Sequence, residues 1–131
     1  MDHEENIRKV LKGEDDIRLA YFYGSRAVGR DHEDSDYDIG LVVEDVKNFD
    51  IHRVSELSDR LERFLDNRVD LRVLNGKDIR FVYNVLKEGG PIYVEDEDFR
   101  QRFEVRTMKE YMDMKPFLDE YDRNVKERVT G

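Results

Sequence analysis

Cysteine and tryptophan are absent from this chain, and proline occurs only twice. The lack of cysteine fits a reducing compartment, where disulfides are rare, and a cytoplasmic location is the expectation. No run of about 18 apolar residues is present, so no membrane-spanning helix is expected. The opening residues Met-Asp-His-Glu-Glu are acidic and carry no apolar stretch, which is not the pattern of a secretory leader. Basic charge is also short: 23 Lys+Arg against 32 Asp+Glu leave a net charge of −9. Proteins that hold long nucleic acids present a basic face that displaces counterions. None is evident, so a long nucleic acid is not expected as a ligand. A nucleotide carried with Mg²⁺ is less affected, because the metal supplies positive charge.

What is there fits one domain over residues 1–131. Ile7, Val10 and Leu11 share a helical face over residues 4–12, with Gly13 as a stop. Residues 18–23 (Arg-Leu-Ala-Tyr-Phe-Tyr) read as a mostly buried strand that ends at Gly24-Ser25, with a short helical turn after Ser25 and a polar loop from Gly29 to Asp34. Residues 36–43 form the clearest strand, with Tyr37, Ile39, Leu41 and Val43 on one side and Asp36 and Asp38 on the other. An amphipathic helix over 51–65 places Ile51, Val54, Leu57, Leu61, Phe64 and Leu65 along one stripe. A third strand covers 68–74, with Asp70 opposite Val69, Leu71 and Val73. Asp78 caps a helix through Glu88, with Ile79, Val82, Val85 and Leu86 inward and Gly89-Gly90 ending it. Pro91-Ile-Tyr-Val is an expected edge strand, and a long helix over 98–128 is expected to bend near Pro116. Tyr21 and Tyr23 read as core residues of their strand. His3, His32 and His52 show no ligand spacing.

Chemistry gathers between Gly24 and Asp38. Two carboxylates at i and i+2 of a strand project from one face, and like charges that close are costly unless a cation lies between them. Mg²⁺ takes one or two carboxylates plus phosphate oxygens, so Asp36 and Asp38 make half of a metal–nucleotide site. Asp70, on a neighbouring strand, completes a set of three, and two metals there would stabilise both the attacking and the leaving oxygens of an in-line displacement. Asp70 read alone could be a structural carboxylate paired with Arg68 or Arg72, but its catalytic role is the expectation. Gly24 and Ser25 supply the other half: glycine lets backbone approach a phosphate, backbone N–H groups opening a helix point at the anion, and the serine hydroxyl adds a donor. Arg26 is a further candidate phosphate contact.

Plainer readings of the same residues exist. An acidic run such as Asp31 to Asp38 is, taken alone, ordinary solvated surface. The Gly-Ser pair at a fixed distance and the strand that follows the acids point instead to a site. Asp34-Ser-Asp36-Tyr-Asp38 also mimics the start of a calcium loop. Its sixth place, where a sharp turn demands glycine, is Ile39, and no helix precedes it.

Gly24-Ser25, ten intervening residues, then Asp36-x-Asp38 resembles the GSx10DxD signature of the DNA polymerase β-like nucleotidyltransferases, and Ala27, Gly29 and Ser35 fit its minimal members. The resemblance implies an α+β, palm-like fold, a mixed twisted sheet with flanking helices and the site at one sheet edge. It implies that Asp36, Asp38 and Asp70 bind divalent metal, with two Mg²⁺ ions expected, and that Gly24 and Ser25 bind the triphosphate, with ATP as donor. The run from Phe103 to Pro116 is similar to the tail of small members paired with a HEPN-domain ribonuclease toxin. That similarity implies an antitoxin enzyme that attaches AMP to a toxin tyrosine. Two other functions compete: a stand-alone transferase acting on a small molecule, and an antitoxin that neutralises its partner by binding alone. Helical residues 98–128 carry Phe99, Phe103, Met108, Met112, Phe117, Leu118 and Tyr121, more apolar surface than so small a sheet covers, so part of that helix is an expected partner surface.

Overall fold

A computed structural model gives the structure of the protein and describes residues 3–24 and 36–130. The chain runs α1 (His3–Lys12), β1 (Ile17–Tyr23), β2 (Tyr37–Val43), a 3-10 turn (Val46–Asn48), α2 (Ile51–Leu65), β3 (Val69–Val73), α3 (Ile79–Glu88), β4 (Gly90–Val94) and α4 (Glu97–Thr130). The four strands form one sheet in the order β3-β2-β1-β4. β1 pairs antiparallel with β2 and with β4, whereas β2 and β3 run parallel. A mixed sheet with helices on it is the α+β architecture expected.

Alternation along the strands divides the core into two layers. Ile39, Leu41 and Val43 of β2 join Val69 and Leu71 of β3 on one face, covered by Ile7 and Leu11 of α1 and by Leu57, Leu61 and Leu65 of α2. Leu19, Tyr21 and Val42 face the other way and meet Leu74, Val82 and Val85 of the α3 region and Phe103 of α4. Helices on both faces therefore cover the sheet, and the side chains of Tyr23, Asp38 and Asp70 fall on the α3 side.

The helices start where side chains can take their first free N–H groups. Asp50 accepts from the Arg53 amide at 3.0 Å to open α2, and Asp78 accepts from the Arg80 amide at 2.8 Å to open α3. α2 ends on Asp66 in the left-handed conformation, with its N–H donating to the Glu62 carbonyl.

Two sequence expectations shift, and the long C-terminal helix is found. The buried stripe of α2 is narrower than its apolar pattern: Ile51 and Phe64 lie at opposite margins of the helical arc and stay exposed, at 76% and 58%. Strand β4 begins at Gly90, so Pro91 is its second residue, and it occupies a sheet edge beside an irregularity in β1. The helix expected over 98–128 is present as α4, which runs through Pro116 as one helix of 34 residues. A proline there removes one backbone donor without ending a helix whose neighbouring turns remain bonded. Among the described residues no helix is long and apolar enough to cross a membrane.

Candidate active site

Three strands bring one row of side chains together. Tyr23 at the end of β1 is the register partner of Asp38 in β2, and Asp38 is the register partner of Asp70 in β3. Side chains of directly paired residues rise on the same face, so Tyr23, Asp38 and Asp70 stand side by side across β1, β2 and β3. β3 is an edge strand and β2 is interior, so the site straddles the sheet edge rather than sitting on it.

Gly24 follows directly, with φ at 82°, a conformation that glycine adopts without steric cost. It lies so close to Asp38 that a Cβ at residue 24 would collide with the Asp38 carboxylate. The backbone thus turns away from β1 immediately over the row of acids. Ser25 and Arg26, together with the expected helical turn and the loop from Gly29 to Asp34, lie outside the described residues.

Asp38 is held above the usual aspartate range, first by burial, then by the negative charges of Asp70 and Asp36 and by a carboxyl hydrogen bond with Asp70. The Arg72 guanidinium opposes that shift from its place beside Asp70, at 3.3 Å and 3.4 Å. The structural pairing open to Asp70 is therefore made with Arg72, and the same carboxylate still stands next to Asp38. Asp36 is exposed just ahead of β2 and acts on Asp38 less strongly than Asp70 does. Among the described residues no group of three His, Cys, Asp or Glu side chains closes into a ready-made metal cage.

The donors nevertheless suit a hard divalent cation. Carboxylate oxygens are the only ligand atoms in the row, apart from one phenol, and a cation between Asp38 and Asp70 would relieve the like-charge crowding that burial intensifies. Asp38 and Asp70 are the residues that would hold such a cation, with Asp36 at the rim.

Sequence reasoning passed over the other wall of the site. Arg72 lies over the Phe81 ring at 5.5 Å, and Phe81 meets the Tyr23 ring edge-on at 5.9 Å. Burial, and then the charge of Asp70, push the Tyr23 phenol up to about 12. Its hydroxyl oxygen is buried and has no hydrogen-bond partner among the described residues. Only the cross-strand register reveals that this tyrosine belongs with the acids. Tyr21, two residues earlier, is core as expected, and its hydroxyl donates to Glu104 at 2.6 Å.

The fold is shared with proteins of known structure. One is a toxin–antitoxin complex crystallised with AMP-PNP, 26% identical with a TM-score of 0.79 over 98% of each chain. A mutant of the toxin–antitoxin pair MntA-HpeT is 25% identical with a TM-score of 0.79 over the whole of both chains. A tri-AMPylated Shewanella oneidensis HEPN toxin in complex with MNT antitoxin shares the fold, at 22% identity and a TM-score of 0.71 over 99% of this chain and 100% of the other. Among curated protein sequences there is no match. A family model described as polymerase beta, nucleotidyltransferase matches residues 5–98, and with most of its length matched the protein belongs to the polymerase β nucleotidyltransferase family.

Proposed function

We propose that this nucleotidyltransferase is an antitoxin that transfers AMP from ATP to a hydroxyl, a tyrosine of a partner HEPN toxin, in a reaction that needs Mg²⁺. The observation that carries the catalytic part is the pairing of Asp38 with Asp70 beneath the Gly24 turn. The antitoxin part is supported by the likeness, along nearly the whole chain, to a toxin–antitoxin complex with AMP-PNP.

Mg²⁺ held by Asp38 and Asp70, with Asp36 at the rim, would supply positive charge against the triphosphate. The chain's own groups position and deprotonate. The Gly24 backbone, with Ser25 and Arg26 beyond it, receives the phosphates. The acceptor oxygen forms a bond to the α-phosphorus, the bond from that phosphorus to the pyrophosphate oxygen breaks, and the hydroxyl proton passes to Asp70. One AMP is joined to the acceptor for each pyrophosphate released.

A protein acceptor also suits the exposed apolar surface of α4. Met112, Phe117 and Tyr121 are 58%, 66% and 66% exposed. The test is to incubate the protein with its co-purified partner, ATP and Mg²⁺, and to weigh both chains by intact mass. Addition of AMP to the partner, dependent on Mg²⁺ and lost in Asp38→Asn, is expected. Neutralisation of the toxin with no mass change in either chain would replace transfer by binding alone.

A further inference from the structure

The least accounted-for polar atom near the acids is the Tyr23 hydroxyl. It is shielded from solvent and makes no hydrogen bond among the described residues, although folding normally supplies a partner for a buried donor. Nothing about the ring is loose. Phe81 meets it edge-on, and a Cβ at Gly89 would lie 2.9 Å from the Tyr23 Cβ, so the α3 end closes against this side chain. The hydroxyl is therefore held where it is, beside carboxylates that are ready acceptors.

Two carboxylates share its row. Tyr23 stands level with Asp38 and Asp70, and of the two charges that of Asp70 acts on the phenol more strongly. The Asp70 carboxylate is paired with Arg72 through contacts of 3.3 Å and 3.4 Å. Both partners of that ion pair are well exposed, and such pairs hold their geometry weakly. Asp70 thus has two alternatives: the exposed Arg72 guanidinium, or the groups of its own row, Asp38 and the Tyr23 hydroxyl.

We infer that Tyr23 is a positioning residue whose hydroxyl donates to Asp70 when that carboxylate turns from Arg72 toward a divalent cation shared with Asp38. The inference rests on the reading of Asp70 as a metal ligand and adds the residue that orients it. Groups that hydrogen-bond to metal-binding carboxylates fix their direction, and their loss commonly weakens metal binding about 10- to 100-fold. Without metal, the same hydroxyl has no bond to lose.

The two states give the test its form. Mn²⁺ binding to the full-length protein, without nucleotide or partner, is measured by calorimetry and by the electron paramagnetic resonance of free Mn²⁺. Wild type, Tyr23→Phe, Asp70→Asn and the double variant are compared, with metal-free melting curves for each. In Tyr23→Phe, Mn²⁺ affinity is expected to fall about ten-fold while the metal-free melting temperature holds or rises. In the Asp70→Asn background, Tyr23→Phe is expected to add nothing. Unchanged affinity in Tyr23→Phe, with a clear loss in Asp70→Asn, would overturn the positioning role and leave the metal site standing. An equal loss from Tyr23→Phe in both backgrounds, or a loss accompanied by a lower melting temperature, would also overturn it. Full affinity in Asp70→Asn would remove the underlying assignment as well.

Discussion

Gly24 and Asp38 fit together only because residue 24 has no side chain. A Cβ there would strike the Asp38 carboxylate and stand 2.9 Å from its Cγ, in a backbone conformation with φ at 82°. Glycine lets backbone approach a phosphate closely; here its missing side chain makes room for the first acid of the row. Gly24→Ala is therefore expected to act without touching a ligand. It should cost about 1–3 kcal/mol of stability through strain and displace Asp38, weakening Mn²⁺ binding ten-fold or more. Calorimetry with Mn²⁺ and then with AMP-PNP reads both effects. Normal Mn²⁺ affinity together with lost AMP-PNP binding would confine Gly24 to the phosphate role.

The crowding around Asp38 has a definite sign in pH. Its folded-state pKa is raised, first by burial and then by Asp70 and Asp36, so the folded protein binds this proton more tightly than the unfolded chain. Stability of the metal-free protein from this group is then greatest when Asp38 is protonated, and falls as pH rises from the ordinary aspartate range through the raised value. Asp38→Asn is expected to raise the metal-free melting temperature at pH 7 and to make no difference at a pH below the ordinary aspartate range, where both states are protonated. Melting curves across that range check it, and a variant less stable than wild type at pH 7 would contradict the crowding. Asp36→Asn should show the same trend more weakly. Both variants are expected to lose AMP transfer.

Much of this arrangement is written in local pattern. The alternation from Tyr37 to Val43 announces β2, and the spacing of Leu57, Leu61 and Leu65 announces α2, because periods of two and of about 3.6 are imposed by a single buried face. The two-residue spacing of Asp36 and Asp38 and the glycine before Ser25 are equally local. Register is not. That Asp70 stands level with Asp38 depends on the parallel pairing of β2 with β3, with α2 between them in sequence. The same pairing information was needed to see that Tyr23 joins the acids rather than the core alone. Ile51 and Phe64 failed for a related reason: an apolar arc does not say how much of its margin the neighbouring layer will cover.

The last expectation concerns the far end of α4. Phe103 and Thr107 are buried against the sheet layer, and Tyr111 stacks on Tyr83 at a centroid distance of 3.8 Å. The same helical face continues as Met114, Leu118, Tyr121 and Val125, at alternating steps of three and four residues, the spacing of a seam between helices. Arg80 of α3 still reaches Asp122 at 3.2 Å, but Tyr121 and Val125 are 66% and 38% exposed. An apolar seam that leaves its own domain is a surface for another protein. A chain of net charge −9 favours a partner with a basic face, as the proposed toxin would present if it binds RNA. Tyr121→Glu and Val125→Glu are expected to weaken capture of the co-purified HEPN partner at least ten-fold while leaving the melting temperature of the isolated protein within about 2 °C, since surface substitutions seldom cost more than about 0.5 kcal/mol. Pull-down or calorimetry with the partner, beside melting curves of the free variants, separates the cases. Loss of stability and of capture together would mean that this part of α4 is held within the protein's own core, and unchanged capture would place the partner on another face.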